Sequence, residues 1–157
     1  MKLKSTTIFS SVNKPLNNKR GRTKNTLSNI TLDSEIILLK IKTVFPFTLF
    51  PDTIIIDLNK LDIIKQDFFL TKRVNSIIHE DILNITVESG PILATLRITS
   101  RFFSGKPILI TYLKKSEALQ AKRLISGLII ARRKGVTLRG IEIEELLNKL
   151  EQLGKAE

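Results

Sequence analysis

The chain of 157 residues has no cysteine, no tryptophan, one tyrosine, one histidine and one methionine. Without cysteine there are no disulfides, no thiolate metal sites and no thiol nucleophile, which is consistent with a reducing, cytoplasmic setting. With His79 as the only histidine, a metal site would need His79, Glu80 and Asp81 together, and three adjacent residues at a strand end rarely converge on one ion. Aromatic residues make up only 6% of the chain, so the stacked rings on which single-stranded nucleic acid is bound are thin. No apolar run approaches the ~20 residues of a membrane-spanning helix. The start, MKLKSTTIFSSV, lacks an apolar core long enough for a secretory signal, with an organelle transit segment as the minor alternative.

Acidic residues are also scarce. Twenty-six Lys and Arg face 15 Asp and Glu, a formal charge of +11. Such a surface favours an anionic partner: nucleic acid, acidic lipid or an acidic protein. Residues 1–33 carry seven basic residues against Asp33 alone, which is more than half of the excess. Low hydrophobicity with high charge predicts a disordered basic tail over 1–33. Lys19, Arg20, Arg22 and Lys24 are its candidate phosphate contacts, and through them nucleic acid is a candidate partner. A solvated, solubilising arm is the alternative.

What remains is a series of short hydrophobic runs between polar turns, densest over 45–99. Residues 34–42 (SEIILLKIK) read as a first strand, since β-branched residues and the following Pro46 disfavour a helix. Residues 44–51 (VFPFTLFP) place two prolines five residues apart, which marks an edge or connecting segment. Phe45, Phe47 and Phe50 are expected to plug one end of a barrel, with an exposed apolar patch for a lipid or peptide as the sharper alternative. Residues 53–58 alternate with Ile54, Ile56 and Leu58 on one face, and Asn59 and Lys60 form a hairpin turn. The return strand over 61–67 points Leu61 and Ile63 inward, with Phe68 and Phe69 at the next turn. Over 73–79, Arg73, Asn75, Ile77 and His79 share one face, and Val74, Ser76 and Ile78 the other. Glu80 and Asp81 break the pattern. Leu83, Ile85 and Val87 are then expected inward, followed by a Ser89-Gly90-Pro91 turn and by Ile92, Ala94, Leu96 and Ile98 inward. Residues 107–113 supply the last strand. Regularly spaced alternating strands linked by short turns predict an antiparallel sheet that curls or closes.

The period changes at residue 116. Over 116–134, Ala118, Ala121, Leu124, Ile125, Leu128 and Ala131 fall on one helical stripe. Ser116 is the expected N-cap, Gly135 the stop, and Gly127 marks close packing on the sheet. A second helix over 141–153 carries Leu146, Leu147, Leu150 and Leu153. Its acidic surface suits docking on the basic helix before it, or on a second copy of the chain.

In this order of elements the chain resembles the bacterial pleckstrin-homology-like (PH-like) family, in which seven short antiparallel strands precede one long C-terminal helix. TIIIDLNKLDIIKQDFF resembles the opening hairpin of that family. RVNSIIHEDILNITVESG resembles its unit of strand, acidic turn and strand, and SEALQAKRLISGLIIARRKG its capping helix. The resemblance covers 34–135 and leaves 136–157 as a short acidic amphipathic helix. It implies a mainly β, α+β fold: a PH-like antiparallel barrel or curled sheet of about seven strands with a C-terminal capping helix. Two features depart from the family. Its glycine-rich bend is reduced to Gly90, and the first hairpin carries only Lys60, with Lys65 on the return strand, where phosphoinositide-binding relatives place several basic residues. The resemblance implies a scaffold for lipid, peptide or protein, and fold alone does not say which.

The remaining chemistry is sparse. A Ser–His–Asp reading of Ser76, His79 and Asp81 fails on strand parity, and His79 is expected to be exposed at a strand end. Asp52, Asp57, Asp62 and Asp67 recur every five residues, which reads as solubilising charge on solvent faces and turns, with Asp57 and Asp62 across the hairpin as the conceivable acid–base pair. Ser104-Gly105-Lys106 lacks the upstream glycine of a phosphate loop and leads into a strand. No catalytic set, cofactor or metal site is expected. Lys72, Arg73, Lys122, Arg123, Arg132 and Arg133 are the candidate anion contacts of the folded part. The expected function is a cytoplasmic, non-enzymatic binding module, peripheral at an anionic membrane or bound to a protein. A nucleic-acid-associated protein and a self-assembling module built through 141–153 are the alternatives.

Overall fold

The computed structural model of the protein describes residues 36–67, 71–102 and 106–155. The basic tail with Lys19, Arg20, Arg22 and Lys24, the Phe68-Phe69 turn and Ser104-Gly105 lie outside the described residues. Seven strands come first: β1 (Ile37–Lys42), β2 (Thr53–Asp57), β3 (Lys60–Gln66), β4 (Lys72–Ile78), β5 (Ile82–Ser89), β6 (Leu93–Ser100) and β7 (Ile108–Lys114). Two helices follow, α1 (Lys115–Arg133) and α2 (Ile143–Lys155).

The strands form two antiparallel sheets, in the orders β1-β2-β3-β4 and β5-β6-β7. The expected barrel therefore does not close. The split falls where Glu80 and Asp81 interrupt the alternation: a one-turn 3-10 helix, His79–Asp81, redirects the chain from one sheet into the other. There Arg101 donates its backbone N–H to the Asp81 carbonyl (3.0 Å). At another corner the Val44 N–H reaches the Tyr112 carbonyl (2.8 Å).

Strand alternation holds where the ladders are regular. Ile54, Ile56, Leu58, Leu61 and Ile63 are all buried, as are Ala94, Leu96 and Ile98. It fails at bulges. Ile82 pairs with Ser100 and Asn84 with Thr99, so Leu83 is an extra residue. It turns outward and Ile82 takes the inward place; a one-residue insertion exchanges the two faces of a strand. Ile92, expected inward, sits in the β5–β6 turn and is exposed.

The helix α1 packs on β5, β6 and β7 with its whole predicted stripe buried, from Ala118 to Ala131. Its cap falls two residues before the expected Ser116. Its N-cap is Lys114, which makes no side-chain cap, and Ser116 already lies inside the helix. Lys114 instead pairs with Glu117 at 3.1 Å. The stop is as expected. Gly135 has φ +65°, its N–H bonds the Arg132 carbonyl (3.0 Å), and the Val136 N–H bonds the Ala131 carbonyl (2.9 Å), a Schellman closure.

α2 folds back on α1, with Leu146 and Leu150 buried in the common core. Gly127 is thereby explained differently from the sequence expectation: its bare Cα faces the Leu150 backbone of α2, not the sheet. Gly154 of α2 meets the Arg123 backbone in the same way, so each helix offers one glycine to the other's main chain. Gln120 also donates to Glu151 at 2.8 Å. Among the described residues, no helix is long and apolar enough to cross a membrane.

Candidate anion-binding mouth

Sheet parity builds one site with both charge and apolar surface. In the β3–β4 ladder Leu61 faces Ile77, Ile63 faces Asn75 and Lys65 faces Arg73. The face that is aliphatic at its middle therefore becomes basic at its end. There the two sheets stand apart, and Lys65, Arg73 and Asn75 line a cleft of about 700 Å³. Its other wall is Phe102, Lys106, Pro107, Ile108 and Leu109, from the β6–β7 connection and the start of β7. Phe102 is 75% exposed. Lys65, Arg73 and Lys106 thus share one cleft, and Asp67 is a loose and exposed partner of Arg73 at 3.8 Å. Three cations beside an apolar wall can receive a multiply charged anion and contact apolar matter next to it.

The other predicted basic residues do not join this site. Lys72 is exposed beside the mouth, in register with Gln66. Lys122 and Arg133 line a separate cleft of about 270 Å³ between α1 and β5, next to Leu83 and Ile129. Arg123 carries the backbone that receives Gly154. Arg132 has a structural role: its guanidinium donates to the Leu58 carbonyl (3.0 Å) and to the Asn59 side-chain oxygen, tying α1 to the β2–β3 turn.

The expectation that Phe45 and Phe47 fill the core is overturned. Both are exposed on the β1–β2 loop, which is the exposed-patch alternative, while Phe50 is half-buried. The Pro46 and Pro51 punctuation holds this segment out of the ladder, where its rings cannot reach the inner face.

His79 is also corrected. It is 1% exposed rather than solvent-facing, because the 3-10 turn folds it under the β2–β3 hairpin. Its Nε2 donates to the Asp57 carbonyl (2.8 Å), and among the described residues Nδ1 has no hydrogen-bond partner. Burial pushes the imidazole below its ordinary value, against the opposing pull of the Asp57 carbonyl and carboxylate. Asp57 is likewise buried rather than solubilising: its Oδ1 accepts the N–H groups of Asn59 (2.7 Å) and Lys60 (2.6 Å) and so shapes the turn. Asp62 faces Ile55 across the hairpin, so Asp57 and Asp62 form no pair. Asp62 instead accepts Ser76 (2.5 Å) and Lys60 (2.7 Å), and that bond holds the Lys60 ammonium above its ordinary value. Ser76 and His79 thus face different partners. Among the described residues, no three His, Asp or Glu side chains are grouped to hold a metal.

Sequence reasoning left Lys65, Lys106 and Phe102 out of the candidate contacts. Lys65 was detectable, since it falls on the inward parity of Leu61 and Ile63, where a charge is out of place. The approach of Lys106 and Phe102 depends on how two sheets meet, which periodicity does not encode. Neither a family model nor a curated protein matches the chain.

Proposed function

We propose that the chain is a non-enzymatic binding module of PH-like build that engages an anionic membrane surface through the mouth between its sheets. The observation that carries this reading is the convergence of Lys65, Arg73 and Lys106 on one cleft beside exposed Phe102. Seven antiparallel strands followed by a helix are also the element order on which the family resemblance rests. A membrane surface presents phosphates above an apolar layer, and a basic cleft with an apolar wall is complementary to both. Each cation near such a surface is worth about 1 kcal/mol, so three give roughly a hundredfold preference for anionic over neutral lipid. The bound state should weaken steeply with salt.

The test is sedimentation of the full chain with phosphatidylglycerol-containing and with pure phosphatidylcholine vesicles, each at low and high salt. Pelleting is expected on the anionic vesicles alone and at low salt. The double reversal K65E/R73E should reduce it at least tenfold without loss of the fold. Equal pelleting on both vesicle types, or none on either, overturns the proposal.

A further inference from the structure

The β1–β2 loop, residues 43–52, turns a run of apolar residues outward. Phe45, Phe47 and Leu49 are 69%, 56% and 77% exposed, and Pro46 between them is exposed too. The Phe47 ring stacks on Tyr112, with centroids 5.8 Å apart. Tyr112 sits at φ +60°, a conformation that costs a non-glycine residue free energy, and is pinned there by the Val44 N–H on its carbonyl. The chain thus tolerates strain at the residue that holds this aromatic pair at the surface.

The strand ladders place this loop beside the basic mouth. Lys42 pairs with Thr53, Thr53 with Ile64, and Gln66 with Lys72, so the β1–β2 and β3–β4 connections leave the same end of the first sheet. The Gln66 N–H reaches the Asp52 carboxylate at 3.3 Å across that end. β7 spans the two features: Ile108 and Leu109 wall the mouth, and Tyr112, three residues on in the same strand, carries Phe47.

We propose that Phe45, Phe47 and Leu49 are a membrane anchor that enters the boundary between headgroups and acyl chains of an anionic bilayer while Lys65, Arg73 and Lys106 hold the headgroups beside it. This inference rests on the reading of the mouth as membrane-facing. The charge selects the occupant. Lys42, which leads into the loop, is exposed, and the whole chain carries +11, which repels a second copy and attracts an anionic bilayer. Aromatic and leucine side chains next to lysines are the composition that settles at a membrane interface.

The chain lacks tryptophan, so F47W gives a single reporter in the full-length protein. With phosphatidylglycerol-containing vesicles its emission should shift to the blue and be quenched by lipids brominated on the acyl chain. The triple variant F45S/F47S/L49S, with unchanged circular dichroism, should bind roughly tenfold or more weakly, given the value of burying large apolar side chains. Its residual binding should be wholly salt-sensitive. If the wild type pellets with anionic vesicles but F47W is neither shifted nor quenched and the triple variant binds normally, the anchor is refuted and the mouth stands. If nothing pellets, both fall. A blue shift that grows with protein concentration in the absence of lipid, together with a dimer in sedimentation, would assign the patch to a second copy and overturn the anchor.

Discussion

Replacing Gly127 by alanine should loosen the two-helix layer although alanine is the better helix former. A Cβ at this position would lie 2.8 Å from the Leu150 carbonyl carbon and closer still to its oxygen. Both are backbone atoms and neither can swing aside. α2 must therefore retreat by about 1 Å to restore ordinary contact. A gap of that size forfeits a quarter to a half of the packing of the side chains behind it. Here those are Leu146 and Leu150, each fully buried and worth about 1.5–3 kcal/mol. The loss is then about 1–3 kcal/mol, against about 1 kcal/mol gained from helix propensity. A net destabilisation of up to about 2 kcal/mol is expected, read as a lower urea midpoint and a melting temperature reduced by up to about 4–8 °C. Gly154→Ala attacks the same seat from the other side, since its Cβ would lie 2.7 Å from the Arg123 carbonyl carbon. Because the first substitution already displaces α2, the double variant should cost clearly less than the two single costs combined. A raised midpoint for G127A, or single costs that simply add in the double variant, would show that the helices are not seated through these glycines.

Other perturbations probe the hairpin that α1 holds. Asp57→Ala should destabilise by about 1–2 kcal/mol in urea denaturation, because the N–H groups of Asn59 and Lys60 lose their acceptor in a half-buried turn. Arg132→Ala should cost about 1–2 kcal/mol by removing the donors to the Leu58 carbonyl and the Asn59 side chain, and a lysine should restore only part of it. Since burial lowers the His79 value below its ordinary 6.5, the folded state binds fewer protons than the unfolded chain. Its contribution is therefore fully present above about pH 6.5 and is lost as pH falls from there through the lowered folded value, at about 1.4 kcal/mol per pH unit. His79→Gln should flatten this part of the stability profile relative to wild type, and identical profiles would remove His79 as its source.

The parts of the fold legible in the sequence are those fixed by local repetition. The α1 stripe, the Gly135 stop and the inward sets of β2, β3 and β6 each follow from a period of 3.6 or 2 within one segment. The failures share a different cause. Leu83 and Ile82 exchange places because a bulge inserts one residue, and no residue type at that point announces it. The burial of His79 is not legible because its hydrogen-bond partner is a main-chain carbonyl 22 residues away, which leaves no mark in the alternation. Gly127 signals a close approach but not its neighbour, the Leu150 backbone, since a glycine records the need for space and not what fills it. The mouth divides in the same way: the odd parity of Lys65 is local, whereas the approach of Phe102 and Lys106 depends on how the sheets meet.

The strained bulge on β7 bears on how the chain avoids sticking to itself. β7 is an outer strand of its sheet, and such a strand offers unpaired main-chain groups as a template for another chain. Between Ile110 and Leu113 it carries two residues where β6 carries only Thr95, so the template is interrupted at Thr111 and Tyr112. Beyond that interruption, the Tyr112 carbonyl is already taken by Val44. An incoming strand could register on little more than Ile108–Ile110, too short a ladder to nucleate a growing sheet. The tolerance of a tyrosine in the left-handed region thus limits amyloid-like extension along an edge that an unbroken β7 would leave open.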